Sequence, residues 1–217
     1  RAKSKANVWL TPYVNMYGHV YYNDEHVEHR MERGQAYEYV WAATGAEDAV
    51  IGINDADMLT SLGDLSALQV ETIDIAKAKH LTSLKIGDAS PSYSNKNLTS
   101  VTLGNNTLLR SLDLRNCVSL NTSVGASGCT NIEEVYCEGT SITGISLPNG
   151  GVLKTLHLPD TVTNLVVLNQ QNITDFSMAG YGSLETLRVE NSNGIPTERI
   201  VAGATNLKRV RLLNVDW

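Results

Sequence analysis

The sequence predicts a mainly β protein, a solenoid of irregular coils of about 20 to 23 residues with few helices, preceded by a small antiparallel β cap or domain. Three observations lead there. An apolar template recurs through roughly two-thirds of the chain, the first 45 residues follow a different, tyrosine-rich pattern, and a single segment has the spacing and punctuation of a helix.

Residues 1–45 form the predicted cap or small domain. Residues 7–41 hold six of the nine tyrosines and two of the three tryptophans, interleaved with valine, with turn signals at Asn23-Asp24 and Arg33-Gly34. Aromatic and β-branched side chains suit a half-buried pleated surface, so this stretch reads as two or three antiparallel strands. Residues 46–60, with Gly45 before them and Asp48, Asn54, Asp55 and Asp57 inside, read as a connection, and residues 61–217 as the solenoid.

The repeated template is hydrophobic-x-x-hydrophobic-x-hydrophobic. It runs through Leu81/Leu84/Ile86, Leu98/Val101/Leu103, Leu109/Leu112/Leu114, Ile132/Val135/Cys137, Ile142/Ile145/Leu147, Leu153/Leu156/Leu158, Val162/Leu165/Val167, Ile173/Phe176/Met178, Leu184/Leu187/Val189 and Leu207/Val210/Leu212, with a weaker copy at Val70/Ile73/Ile75. The second and third apolar positions are two apart, which in an extended chain puts both side chains on one face. Leu109 to Ile132 and Leu184 to Leu207 are each 23 residues, while neighbouring templates start mostly 9 to 11 apart. One coil therefore carries a short strand on each of two walls.

The phrase LLRSLDLRNCVSL places Leu109, Leu112, Leu114, Cys117 and Leu120 in the frame L-x-x-L-x-L-x-x-N/C-x-L, and here the chain resembles the leucine-rich-repeat family. At the position of Cys117 other coils have Asn106, Thr140, Thr161 and Ser192, small groups able to satisfy backbone atoms turned into the coil. Two features depart from that family. Coil lengths vary, and IPTERIVAGATN (195–206) is the one convex segment that reads as helical, with Pro196 suited to a first turn. Segments such as NQQNITDFSM look extended, so the resemblance implies a leucine-rich-repeat-like solenoid, with a two-walled β-solenoid the alternative for its coils in detail.

The phrases LTSLGDLSALQVETIDIAKAKHLTSLKIGD, GNNTLLRSLDLRNC, GCTNIEEVYCEGTSITGISLPNGG and NLKRVRLLNVDW further resemble leucine-rich-repeat segments of tail-associated structural proteins in phages and prophages of gut bacteria. That resemblance implies a virion structural or host-contacting protein and carries over no catalytic residue.

Composition narrows the function classes. The chain has 217 residues, 42% hydrophobic and 18% charged, within the globular range. A formal charge of -6 supplies no basic footprint for nucleic acid, and apolar runs such as Leu165–Leu168 are far shorter than the ~20 residues of a membrane-spanning helix. The chain starts with RAKSKAN and stops at LKRVRLLNVDW directly after a strand template. It reads as part of a longer chain or assembly, with Trp217 as a plug for the last coil the less favoured alternative.

Candidate chemistry is sparse. His19, His26 and His29 lie beside Asp24 and Glu25, but His26 and His29 are an odd number apart and face opposite sides of a strand, so no metal site is expected. Asp55-Ala56-Asp57 starts like a calcium loop without its glycine and closing glutamate in frame. Cys137 replaces an apolar strand residue, Cys129 stands where Ala204 stands in the later phrase, and the three cysteines contain no C-x-x-C pair, so neither a reactive thiol nor a cofactor is expected. Catalysis by a glycan-degrading β-solenoid would need carboxylates converging from adjacent coils; Asp113, Glu133 and Glu134 are the candidates.

The outward positions between template residues form the candidate binding face: Asp113, Tyr136, His157, Arg188 and Arg211, preceded by Arg110/Ser111, Glu133/Glu134, Lys154/Thr155, Glu185/Thr186 and Lys208/Arg209. They read as one variable surface along successive coils, acidic first and basic later. SGCTNIEEV (127–135) and AGATNLKRV (202–210) show the principle. Gly128 and Gly203 are expected to let the chain turn, Thr-Asn to lead into the strand, and Glu133-Glu134 against Lys208-Arg209 to be free to vary. The expected function is a non-enzymatic structural or interaction module, on a virion or at a cell surface, binding protein or cell-surface glycan. A leucine-rich surface adhesin of a gut bacterium and a glycan-degrading enzyme are the alternatives.

Overall fold

The computed structural model describes residues 5–12, 14–22, 25–42, 51–53 and 56–215. Asn23, Asp24, Gly45, Asp48, Asn54, Asp55 and Trp217, which enter the expectations above, lie outside the described residues.

The tyrosine-rich segment makes four strands rather than two or three: β1 (Lys5–Pro12), β2 (Met16–Tyr22), β3 (Glu25–Met31) and β4 (Tyr37–Ala42). β1 pairs antiparallel with β4, and β2 with β3. The described part of the connection is itself structured. β5 (Ile51–Ile53) adds to β2, and β6 (Leu59–Ser61) adds to β1 at Thr11↔Ser61 and Pro12↔Leu59. Leu10, Val20, Met31 and Tyr39 are buried and join one continuous core with the repeats.

From β6 the chain winds as a two-walled β-solenoid of about five turns. The first wall contains β8 (Ser83–Lys85), β10 (Ser111–Asp113), β12 (Glu134–Tyr136), β14 (Thr155–Leu158) and β16 (Asp175–Met178), all parallel. The second is built in segments: β7 (Thr72–Asp74) pairs with β9 (Ser100–Thr102), β11 (Val124–Gly125) with β13 (Ile145–Ser146), and β15 (Asn164–Leu168), β17 (Thr186–Ser192) and β18 (Arg209–Val215) with one another. Helix α1 (Thr197–Gly203) stands in the last coil where a first-wall strand would be. Coil length is wider than the expected range: Ser83 to Ser111 is 28 residues and Thr155 to Asp175 is 20. Residues 88–97 account for the long coil, with Ser94 and Asn95 buried against its turn.

Template residues stack in register. Leu84, Leu112, Val135, Leu156 and Phe176 form one inward row of the first wall; Leu165, Leu187 and Val210 form one of the second. Burial fades at the last strand: Leu187 is 0% exposed, whereas Val210, its partner in register, is 49%, and Leu212, opposite the buried Val189, is half-buried.

The polar position behaves as its chemistry requires. Asn106 Nδ2 donates to the carbonyls of Ile75 (2.7 Å) and Leu103 (2.9 Å). Thr140 Oγ1 donates to Cys137 O, Thr161 Oγ1 to Ile142 O and Ser192 Oγ to Glu190 O, at 2.7, 2.7 and 2.8 Å. In the repeated phrase, Asn131 and Asn206 each donate to a carbonyl of the preceding coil, Thr107 O and Gly182 O, at 2.8 and 2.7 Å. Gly128 serves close approach rather than a special turn, since a Cβ there would sit 2.8 Å from Gly104 O. Likewise a Cβ at Gly203 would sit 2.8 Å from the Tyr181 ring.

Asn106→Ala leaves the Leu103 carbonyl without its side-chain donor and the Ile75 carbonyl with only the Ala78 N–H, and is expected to lower unfolding free energy by about 2 kcal/mol, measured by urea titration. Deleting residues 1–60 removes the strands over Leu62 and Leu65 and is expected to give an aggregating fragment. A soluble, cooperatively unfolding 61–217 chain would show that these strands are not a required cover.

Candidate functional site

Parallel in-register pairing places equivalent side chains of successive coils about 4.8 Å apart along a wall. On the first wall this produces the outward row Lys85, Asp113, Tyr136, His157, Ser177 and a second row Ser83, Ser111, Glu134, Thr155, Asp175. Before the strands, the N–H of Glu133 donates to Arg110 O and that of Lys154 to Glu133 O, which lines up Arg110, Glu133 and Lys154.

These side chains pair between coils. Lys85 Nζ lies 2.6 Å from Asp64 and 3.1 Å from Asp88. Arg115 meets Asp113 with both arms, Nε to Oδ1 at 3.0 Å and a terminal nitrogen to Oδ2 at 2.5 Å, and covers it to 7% exposure. The same guanidinium sits 5.0 Å from the centre of the Tyr136 ring, a cation–π contact, and Tyr136 meets His157 edge-on at 5.3 Å. His157 ends the chain of contacts between two acids, Nδ1 3.3 Å from Glu138 and Nε2 3.0 Å from Asp175, the latter an ion-pair approach rather than an aligned hydrogen bond.

Electrostatics follow from this pairing. Lys154, at 2.6 Å, and Arg110 on its other side hold the Glu133 carboxyl below its ordinary range. Partial burial of His157 opposes its charge, but the carboxylates of Asp175 and Glu138 outweigh burial and raise its pKa above the ordinary imidazole value.

The expected single face is in fact two. Asp113, Glu133, Glu134, Tyr136, Lys154 and His157 are on the first wall; Glu185, Arg188, Lys208, Arg209 and Arg211 are on the second. Templates 9 to 11 residues apart change wall and those 23 apart share one, so acid and base do not grade along one surface. On the second wall Arg188 Nε donates to Glu190 Oε1 at 2.7 Å, Arg211 pairs with the same carboxylate, and Lys208 lies 2.8 Å from Glu185. Hydrogen bonding from Arg188 holds Glu190 below the usual carboxylate range.

The proposed acid cluster does not converge. Asp113 is opposite Tyr136 and bound by Arg115, Glu134 is opposite Ser111, and Glu133 is held between two cations. Of the residues that complete the network, Asp88, Arg115 and Glu138 lie one or two positions beyond a template, Asp64 precedes the Leu81 template, and Lys85 and Asp175 occupy outward slots of coils left out of the expected face. Alignment of the templates by wall is the signal that would have found them. Cys117, Cys129 and Cys137 are free, fully buried core groups. Burial pushes the Cys117 thiol up to about 12 and raises the other two as well.

No family model, no curated protein and no solved structure matches the chain.

The raised His157 pKa has a definite sign. The extra stability from its two carboxylates is fully present below the ordinary value of 6.5 and is lost as pH rises through the raised folded value. Denaturant midpoints measured across that interval should fall with rising pH in the parent, and His157→Gln should flatten the slope.

Proposed function

We propose that the chain is a non-enzymatic structural and interaction module that binds protein or cell-surface glycan through the outward face of its first wall. The observation that carries this reading is the ladder from Lys85 to Ser177: a strip of alternating cations, acids and aromatic rings held in fixed spacing by the coils beneath. Such a strip offers many contacts to an extended partner, and pre-organised side chains lose little freedom on binding. Pocket chemistry points the same way. The hollow edged by Val8, Leu62, Leu65 and Ile73 has one carboxylate at its rim, Asp74, and the hollow over Ile145 and Val166 has none. Glu133 favours its ionised form, the opposite of what a general acid requires.

The resemblance to tail-associated phage proteins extends the proposal to a virion component that contacts a bacterial host. Finding phage structural genes beside the coding region would support that extension, whereas an export signal upstream of Arg1 would favour a bacterial surface adhesin.

Binding to a panel of bacterial surface glycans and envelope proteins tests the module itself. Tyr136→Ala combined with His157→Ala is expected to weaken a bound partner by at least about tenfold, whereas Arg188→Ala with Arg211→Ala on the other wall leaves it within a few-fold. Cleavage of any glycan on the panel that Asp113→Ala, Glu133→Ala and Glu134→Ala together abolish would replace this reading with the enzymatic one.

A further inference from the structure

The β2–β3 hairpin gathers two imidazoles and a carboxylate outside the first-wall face. Its pairing sets Tyr21 opposite His26 and His19 opposite Glu28, so His19, His26 and Glu28 project from the same side of the pleat. His19 Nδ1 lies 2.9 Å from His26 Nε2, and the ligand atoms of all three residues fall within 4.8 Å of one another. His29 is on the other side, edge-on to the buried Tyr39 ring at 4.8 Å. The expectation that His26 and His29 cannot share an ion holds, while the partner of His26 is His19 from the facing strand.

We propose that His19, His26 and Glu28 form a binding site for a divalent ion of the zinc class. Two nitrogen donors and one carboxylate suit a borderline ion such as Zn2+, whereas Mg2+ and Ca2+ take oxygen ligands. Two imidazole nitrogens bound tetrahedrally at about 2.05 Å are separated by about 3.3 Å, so the rings, now parallel within 5° and nitrogen to nitrogen, part by a few tenths of an ångström and turn until both lone pairs meet at the ion. The backbone beneath is well held, since β2 is the central strand between β3 and β5. Tyr21 stacks on His26, with ring centres 4.8 Å apart, and supports the imidazole from the side. Three protein ligands leave a fourth position for water or a donor from a bound partner.

Calorimetric titration of the untagged full chain with ZnCl2 tests the site. The expected result is one Zn2+ per chain, weakened at least about tenfold by His19→Ala and by His26→Ala, less by Glu28→Gln, and unchanged by His29→Ala, with no response to MgCl2 or CaCl2. Co2+ supplies a readout on the unmodified chain: a visible ligand-field spectrum of imidazole ligation, which the exposed substitution His26→Asn removes without loss of far-ultraviolet circular dichroism. Absence of Zn2+ uptake by the parent, or uptake that His29→Ala removes as fully as His26→Ala, overturns the site.

Discussion

Everything in this molecule depends on one constraint, the parallel stacking of each coil on the one before it. The ladder is visible at a single position of the first wall, where the N–H groups of Thr82, Arg110, Glu133, Lys154 and Thr174 donate in turn to Thr60, Thr82, Arg110, Glu133 and Lys154. A coil has only two neighbours, so its stability is the sum of its own turn chemistry and two interfaces. Backbone groups facing inward have no water to turn to, and Asn106, Thr140, Thr161 and Ser192 satisfy them at the corners. Leucines fill the space between walls, but these polar corners let the chain turn there without stranding a carbonyl.

The same stacking organises the surface. Ion pairs link residues that are 20 or more apart in sequence, as in Lys154 with Glu133 and Lys85 with Asp64. Exposed pairs of this kind contribute little to stability one at a time. Their effect is geometric, because several carboxylates stay ionised and side chains hold position across coils. Arg115 has two roles, neutralising a nearly buried Asp113 and presenting its face to Tyr136. On the second wall a comparable ladder is neutral: Asn149, Asn169, Asn191 and Asn214 pass amide hydrogen bonds from coil to coil at 2.6, 2.9 and 2.7 Å. The first wall is thus charged and aromatic along its row, and the second, beside its own ion pairs at Glu190 and Glu185, is tied by amides along its edge.

The two ends show how a stack is modified. At the first coil β6 belongs at once to the antiparallel pair with β1 and to the hydrogen-bond ladder of the first wall, and this coupling makes the cap and the solenoid share a core. In the last coil α1 takes over from a strand, burying Ile200 and Thr197. On β18 Val210 is 49% exposed, while its partner Leu187 on β17, with a strand on either side, is covered.

Periodicity by itself determined the strands, the two apolar rows, the helix after Ile195 and the polar corners, because each of these is dictated by neighbours within one coil. Tyrosine and valine enrichment likewise determined the antiparallel character of the first segment. What only the tertiary structure decided is adjacency between coils. Asp113 and Arg188 occupy the same template slot yet lie on different walls, since a template's wall depends on the length of the coil before it. His26 finds His19 rather than His29, since a hairpin brings together residues whose separation along the chain says nothing about distance across it. Local pattern sets which way a side chain points; register between strands, a long-range property, sets what it meets.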